Sequence, residues 1–294
     1  MRRGVIDIGT NSVKLLIADL CDSDISPQLE TSRQTRLGCG LYSGGKLQAE
    51  SIQATVAAVN ELLALAKAND CSDTRIIATS AVRDSSNPAE LLGALGQAVD
   101  VLSGDSEARL VFAGVMGCPR LAKSAALVID VGGGSTEFIV GDAGGMRFYT
   151  SIPLGSVRLM ERHAVSDPPA GGELETVCKS IDQALSETSL PGLRGQLNAP
   201  GQAQQFAMIG SGGMAGILAK MELADDAYDR ERMEAVELPL DRFDDPRVRV
   251  ADLVGAVPVK IHVASTVGIG QVDAFAASQL GEARRGEGLM QKGC

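Results

Sequence analysis

An aspartate closing an apolar run and opening a glycine-rich turn occurs twice in this chain. The first is Asp7-Ile-Gly9-Thr10-Asn11-Ser12, and the second is Asp130-Val-Gly132-Gly133-Gly134-Ser135-Thr136-Glu137. The runs before them, from Val5 and from Val128, read as buried strands, and each turn leads into another apolar run. A turn poor in Cβ atoms lets backbone N–H groups approach an anion, so two such turns facing across a cleft would grip phosphate. Phe206-Ala-Met-Ile209 followed by Gly210-Ser-Gly212-Gly213 makes a third turn of the same kind, leading into a helix. One glycine turn alone is a weak signal. Three of them, each directly after an apolar strand and two preceded by aspartate, point to phosphate binding.

The acids beside these turns carry the next step. An Asp before Gly can be a turn-forming residue, but carboxylates beside bound phosphate also hold Mg²⁺, which takes one or two carboxylates together with phosphate oxygens and water. Asp7, Asp130 and Glu137 are the candidates for Mg²⁺, with Mn²⁺ as a substitute and a monovalent cation as a further occupant. Glu107 falls in the first turn of a predicted helix, where it would favour the helix dipole. Hydrolysis of a phosphoanhydride also needs an in-line water relieved of a proton. With His163 and His262 the only histidines, a carboxylate is the available base. Arg83 and Arg36 are either surface charges or bidentate phosphate ligands.

Composition narrows the setting. The chain has 294 residues, 45% hydrophobic and 22% charged, as expected for a globular protein of two domains. Six cysteines lie scattered without a C-x-x-C pair, which predicts reduced thiols and neither a structural zinc site nor a disulfide framework. A formal charge of −10 disfavours nucleic acid and acidic lipid as partners, while leaving room for an anionic substrate in a locally positive cleft. No targeting segment or membrane span is apparent, so the expected location is the cytoplasm.

The elements that must position these residues follow from the hydrophobic periodicity. Gly4 to Ile8 and Val13 to Asp19 read as strands, followed by a loop through Thr35-Arg36-Leu37-Gly38 and Gly44-Gly45. Ile52, Val56, Val59, Leu63 and Ala66 recur at helical spacing from about Gln48 to Lys67. Arg75 to Thr79 is a strand, and Asn87-Pro88-Ala89-Glu90 starts a helix with an N-cap and a proline at its first position. Val99 to Leu102 is strand-like and leads into the helix with Glu107. Beyond a polar link near Lys123 come strands through Val140 and from Phe148 to Ile152, helices near Gly155 to His163 and Glu173 to Thr188, and an exposed loop from Leu190 to Gln205. A last helix is expected at about Gly270 to Leu280.

The phrases Asp7-Ile-Gly-Thr-Asn-Ser12, Ala78-Thr-Ser-Ala-Val-Arg-Asp84, Ser103-Gly104 with Glu107-Ala-Arg109, Val128 to Phe138 and Pro153-Leu-Gly-Ser-Val-Arg158 resemble the exopolyphosphatase and guanosine pentaphosphate phosphohydrolase (Ppx/GppA) family. The resemblance runs from about residue 4 to 220. It implies an α/β fold of two ribonuclease-H-like domains hinged around a cleft, in the actin-like superfamily of sugar kinases and heat-shock chaperones. The expected domains are 1–123 and 124–294, with the last helix able to return to the first.

The implied activity is Mg²⁺-dependent release of terminal phosphate from inorganic polyphosphate, or of the 5′ phosphate of guanosine pentaphosphate. Glu107 matches the catalytic base and Arg83 a phosphate-binding arginine at the catalytic centre. Asp130 and Glu137 match metal and phosphate carboxylates. Ser106 replaces the first of two consecutive acids, and the closing Ser-Asp-Arg-Gly-Leu-Arg-Glu-Gly pattern is only echoed by Ser278-Gln-Leu-Gly and Gly286-Glu-Gly-Leu289. The long members' C-terminal helical domains are missing, which favours short polyphosphate and a homodimer. A sugar or acid kinase of the same superfamily and a noncatalytic sensor of polyphosphate or guanosine tetra- or pentaphosphate are the competing readings.

Overall fold

The computed structural model describes residues 1–21, 24–118, 125–166, 168–197, 206–225, 229–239 and 260–263. The first sheet begins with an antiparallel meander of β1 (Arg2–Ile8), β2 (Ser12–Cys21) and β3 (Asp24–Gln34). β4 (Asp73–Ala78) then pairs parallel with β1, and β5 (Asp100–Val101) parallel with β4, giving the order β3-β2-β1-β4-β5. The second sheet repeats the plan. β6 (Ala125–Val131), β7 (Thr136–Asp142) and β8 (Gly145–Ile152) form the meander, and β9 (Phe206–Ser211) pairs parallel with β6. β10 (Glu237–Pro239) and β11 (Lys260–Val263) complete it, with β11 parallel to β9. The α/β class and the pair of like-built sheets agree with the sequence.

Central strands are buried on both faces, which explains their near-continuous apolar runs. On one face of the first sheet Ile6, Ile8, Leu15 and Ile17 pack with Ile52, Val59, Leu62 and Ala66 of α2 (Ala49–Ala68), which follows the single-turn α1 (Leu41–Gly44). On the other face lie Val5, Leu16, Ala18 and Ile77. Two short helices, α3 (Ser80–Asp84) and α4 (Pro88–Leu95), follow β4. The Asn87 side chain does not cap α4. It bridges the loop by accepting from Leu47 N–H at 2.8 Å and donating to Leu47 O at 3.1 Å.

The helix carrying Glu107, α5 (Gly104–Met116), packs Ala108, Phe112 and Val115 against Ala126, Val128, Ile139 and Ile209. By its contacts α5 therefore belongs to the second sheet, although it lies within the range 1–123. The expected junction at 123/124, the helix at 270–280 and the closing phrase fall outside the described residues.

In the second half come α6 (Ser156–His163), α7 (Glu173–Ala184) with a π-helical turn at Leu185–Ser189, α8 (Leu190–Leu197), α9 (Gly212–Leu223) and α10 (Arg230–Glu234). Besides the Asn87 cap, the structure corrects the sequence reading of two elements. β3 is a strand with few packed apolar residues. Its pairing with β2 shifts register between Ile17 and Ala18, where Pro27 stands opposite Ala18. The stretch 190–197, expected as a loop, is helical because Leu193 buries completely against the second sheet's outer face with Leu127, Phe138 and Met208. No helix among the described residues is long and apolar enough to cross a membrane.

Candidate active site

The two Asp-Gly turns are built alike. Gly9 N–H donates to Ser12 O at 3.1 Å, and Gly132 N–H donates to Ser135 O at 3.0 Å. Strand register places Asp7 opposite Lys14 in the first hairpin and Asp130 opposite Glu137 in the second. The parallel pairing of β6 with β9 sets Ser211 beside Asp130, so the third turn opens next to the second. All three turns converge on one cavity of about 210 Å³, lined by Asp7, Gly9 to Ser12, Asp130, Gly132 to Ser135, Gly212, Gly213 and Glu107.

Glycine is required at two of these positions. Gly212 has φ +83°, and a Cβ there would collide with Asp130 Oδ1. A Cβ on Gly134 would collide with Tyr42 Oη and Ser80 Oγ from the first half, so the second turn lies directly against the first half of the molecule.

Glu107 stands in the first turn of α5, whose N-cap Ser103 accepts the Ser106 N–H at 3.1 Å. Arg83, at the end of α3, donates from Nη1 to Glu107 Oε2 at 2.9 Å and to Leu102 O at 2.8 Å. Burial, and then the neighbouring Glu137, raise the proton affinity of Glu107 above the ordinary carboxylate range, while Arg83 opposes the rise. Burial raises Glu137 as well. It is 2% exposed, lies off the cavity wall, and accepts Ser151 Oγ–H at 2.6 Å. Asp130 keeps a face open to the cavity, yet the surrounding protein and the charges of Glu137 and Asp7 push it up to about 7 against the pull of Lys14.

These acids raise one another's proton affinity, a situation that a cation relieves. Among the described residues no group of three or more His, Cys, Asp or Glu side chains converges to hold a metal through protein ligands alone. Asp7 and Asp130 on the wall, beside turns suited to phosphate, fit a Mg²⁺ ion that takes its remaining ligands from phosphate and water.

The remaining sequence candidates sit elsewhere. Arg36 is exposed with φ 50°, and its N–H donates to Asn11 O at 2.9 Å, so its backbone shapes the first turn and its side chain lies off the wall. Thr136 is buried, with its hydroxyl donating to Leu154 O. Arg83 lies off the cavity wall and contacts Glu107, which borders it. Residues that the reading of motifs missed are Lys14, Thr79, Ser80 and Ser156, together with an apolar flank of Met214 and Ile217. Thr79, Ser80 and Ser156 lay inside the recognised phrases. No sequence signal marked Lys14, because it shares its face of β2 with Ser12 and with the apolar Leu16 and Ala18.

Comparison with known proteins accords with this geometry. The profile of the Ppx/GppA phosphatase family matches residues 16–240. Exopolyphosphatase 2 of Mycobacterium tuberculosis is 33% identical over 251 residues, covering 81% of this chain and 76% of that protein. A guanosine-5′-triphosphate,3′-diphosphate pyrophosphatase of Vibrio cholerae is 29% identical over 162 residues, covering 54% of this chain and 32% of its own length. The crystal structure of an exopolyphosphatase from Cytophaga hutchinsonii superposes with a TM-score of 0.71 at 22% identity, covering 90% of this chain and 95% of that one. An Aquifex aeolicus Ppx/GppA structure gives 0.70 at 23% identity, covering 95% and 98%. At these identities the two structures speak to fold alone.

Proposed function

We propose, from the premise that this chain belongs to the Ppx/GppA phosphatase family and is a hydrolase, that it releases terminal phosphate from inorganic polyphosphate, with short chains preferred. The observation that carries the reading is the placement of Glu107. A carboxylate of raised proton affinity, held by Arg83, borders the same cavity as two turns whose backbones are open to phosphate.

In this reading the terminal phosphates lie between the Thr10–Ser12 and Gly132–Ser135 turns and take hydrogen bonds from backbone N–H groups and hydroxyls. Glu107 orients a water in line with the terminal phosphorus and accepts its proton as the new P–O bond forms. The bond to the bridging oxygen breaks, and the shortened chain leaves with that oxygen. Asp7 and Asp130 would hold Mg²⁺, which supplies neutralisation of phosphate charge. Lys14 adds a fixed positive charge on the same wall.

Guanosine pentaphosphate is the second reading. Met214 and Ile217 are 37% and 53% exposed on the cavity wall, an apolar shelf of the kind a purine would cover. Membership of a hydrolase family speaks against the kinase and sensor alternatives.

The deciding experiment is phosphate release from short polyphosphate, long polyphosphate, guanosine pentaphosphate and ATP, with Mg²⁺ or EDTA, for wild type and Glu107→Gln. The expected result is Mg²⁺-dependent release, fastest from short polyphosphate, falling about 10²-fold or more in the variant, as loss of a general base predicts. Release that is unchanged in Glu107→Gln would overturn the assigned role. Preference for guanosine pentaphosphate would select the second substrate.

A further inference from the structure

Among the described residues three ion pairs cross between the halves of the molecule: Arg230 with Glu30 joins α10 to β3, and the other two start from α3. Arg83 and Asp84 are neighbours on that helix, which follows β4 of the first sheet. Arg83 reaches Glu107 on α5, while Asp84 Oδ2 accepts from Arg158 Nη2 on α6 at 2.7 Å. Arg158 has two further partners. Its Nε donates to Gly134 O at 2.7 Å, and its guanidinium lies 3.9 Å from the centroid of the Tyr42 ring. The side chain is only 12% exposed. One guanidinium thus joins the helix that presents Arg83, the turn that faces the phosphates and an aromatic ring of the first half.

We propose that Arg158 is a positioning residue for hydrolysis. It fixes the distance between α3 and the Gly132–Gly134 turn, so that Arg83 meets Glu107 while the turn faces the same substrate. The proposal rests on Glu107 as the water-activating group. A lysine could not replace Arg158, because one ammonium cannot serve a carbonyl and a carboxylate from two edges of a plane while stacking on a ring. Docking of α6 itself does not depend on Arg158. One turn further along, Glu161 accepts the N–H groups of Gly40 at 2.5 Å and Tyr42 at 3.0 Å, and this holds the helix against α1.

The test compares wild type, Arg158→Lys, Asp84→Asn and the double variant on whichever substrate wild type hydrolyses, together with a crystal structure of Arg158→Lys. A positioning role predicts that Arg158→Lys lowers kcat ~10- to 100-fold with KM within about threefold. Asp84→Asn should lose less, and the double variant should be no worse than Arg158→Lys, since both remove one linkage. In the crystal, Arg83 should have moved beyond hydrogen-bond reach of Glu107, about 3.5 Å. A folded Arg158→Lys protein with kcat within about twofold of wild type, or one whose Arg83–Glu107 contact is intact, would overturn the proposal. If wild type hydrolyses none of the four substrates, the proposed function fails, and the crystal structure alone decides whether Arg158 sets the Arg83–Glu107 contact.

Discussion

Gly212 shows how much a single residue can decide here. Its φ of +83° and its approach to Asp130 leave no room for a side chain, whereas the next residue, Gly213, has open space where a Cβ would stand. Gly212→Ala is therefore expected to destabilise by about 1–3 kcal/mol and to lower phosphate release at least ~10-fold by displacing the Asp130 carboxylate. Gly213→Ala should leave stability within about 1 kcal/mol of wild type. Urea unfolding and a phosphate assay check both, and equal stability for the two variants would refute the argument. The same contrast explains what was legible at this scale. The glycine turns could be read because φ and close approach tie backbone geometry to one residue type. Lys14 could not, since a lysine in a strand looks the same whether it faces water or a catalytic cavity. Arg36 misled for the converse reason, because it lies in the turn region without its side chain reaching the wall.

Elements were legible where burial is periodic and illegible where one contact decides. α2 could be found from its spaced apolar residues, but α8 forms around a stretch with a proline and two glycines because Leu193 buries completely. β3 escaped because an edge strand needs few apolar residues, most of its stability coming from pairing with β2. The least visible fact was the attachment of α5. Sequence order joins it to the first half, yet Phe112 packs into the second sheet at 6% exposure, against Gly141. Removing that ring should loosen the helix that presents Glu107. Phe112→Ala is expected to cost about 3–5 kcal/mol and to lower kcat even in the folded fraction, whereas the milder Phe112→Leu should retain most of both. Chemical unfolding alongside kinetics at a temperature where each variant is folded separates the two effects. Full kcat in folded Phe112→Ala would show that α5 holds its place without the ring.

At the scale of the whole molecule, the repeated Asp-Gly phrase already announced two like-built halves around a cleft, but not how acidic the cleft would be. Asp130, Glu107 and Glu137 all have raised proton affinities, so folding takes up protons there, from the ordinary carboxylate range near pH 4 up to about 7 at Asp130 and about 8 at Glu107. Stability from these groups is fully present below pH ~4 and is lost as pH rises through the folded values. For Asp130, moving from 3.8 to about 7, the loss is on the order of 4 kcal/mol. Asp19, Glu61 and Glu173 are lowered by Arg2, Arg33 and Ser166 respectively, and act in the opposite sense only in the acid range, so the two windows do not overlap. In EDTA the protein should therefore melt at a lower temperature at pH 8 than at pH 6. Mg²⁺ bound at Asp7 and Asp130 would oppose the trend, because at pH 6 it must displace a proton that at pH 8 is already gone. The stabilisation on adding Mg²⁺ should accordingly be larger at pH 8, approaching the ~2.7 kcal/mol that a ligand at a hundredfold excess over its Kd supplies, and the melting temperature should rise by more there. Asp130→Asn should flatten both dependences, since it removes the titrating group and one metal ligand together. Calorimetry of the two proteins at the two pH values, with and without Mg²⁺, measures this directly, and a melting temperature in EDTA that rises from pH 6 to pH 8 would rule out a cleft whose acids repel one another until a cation is bound.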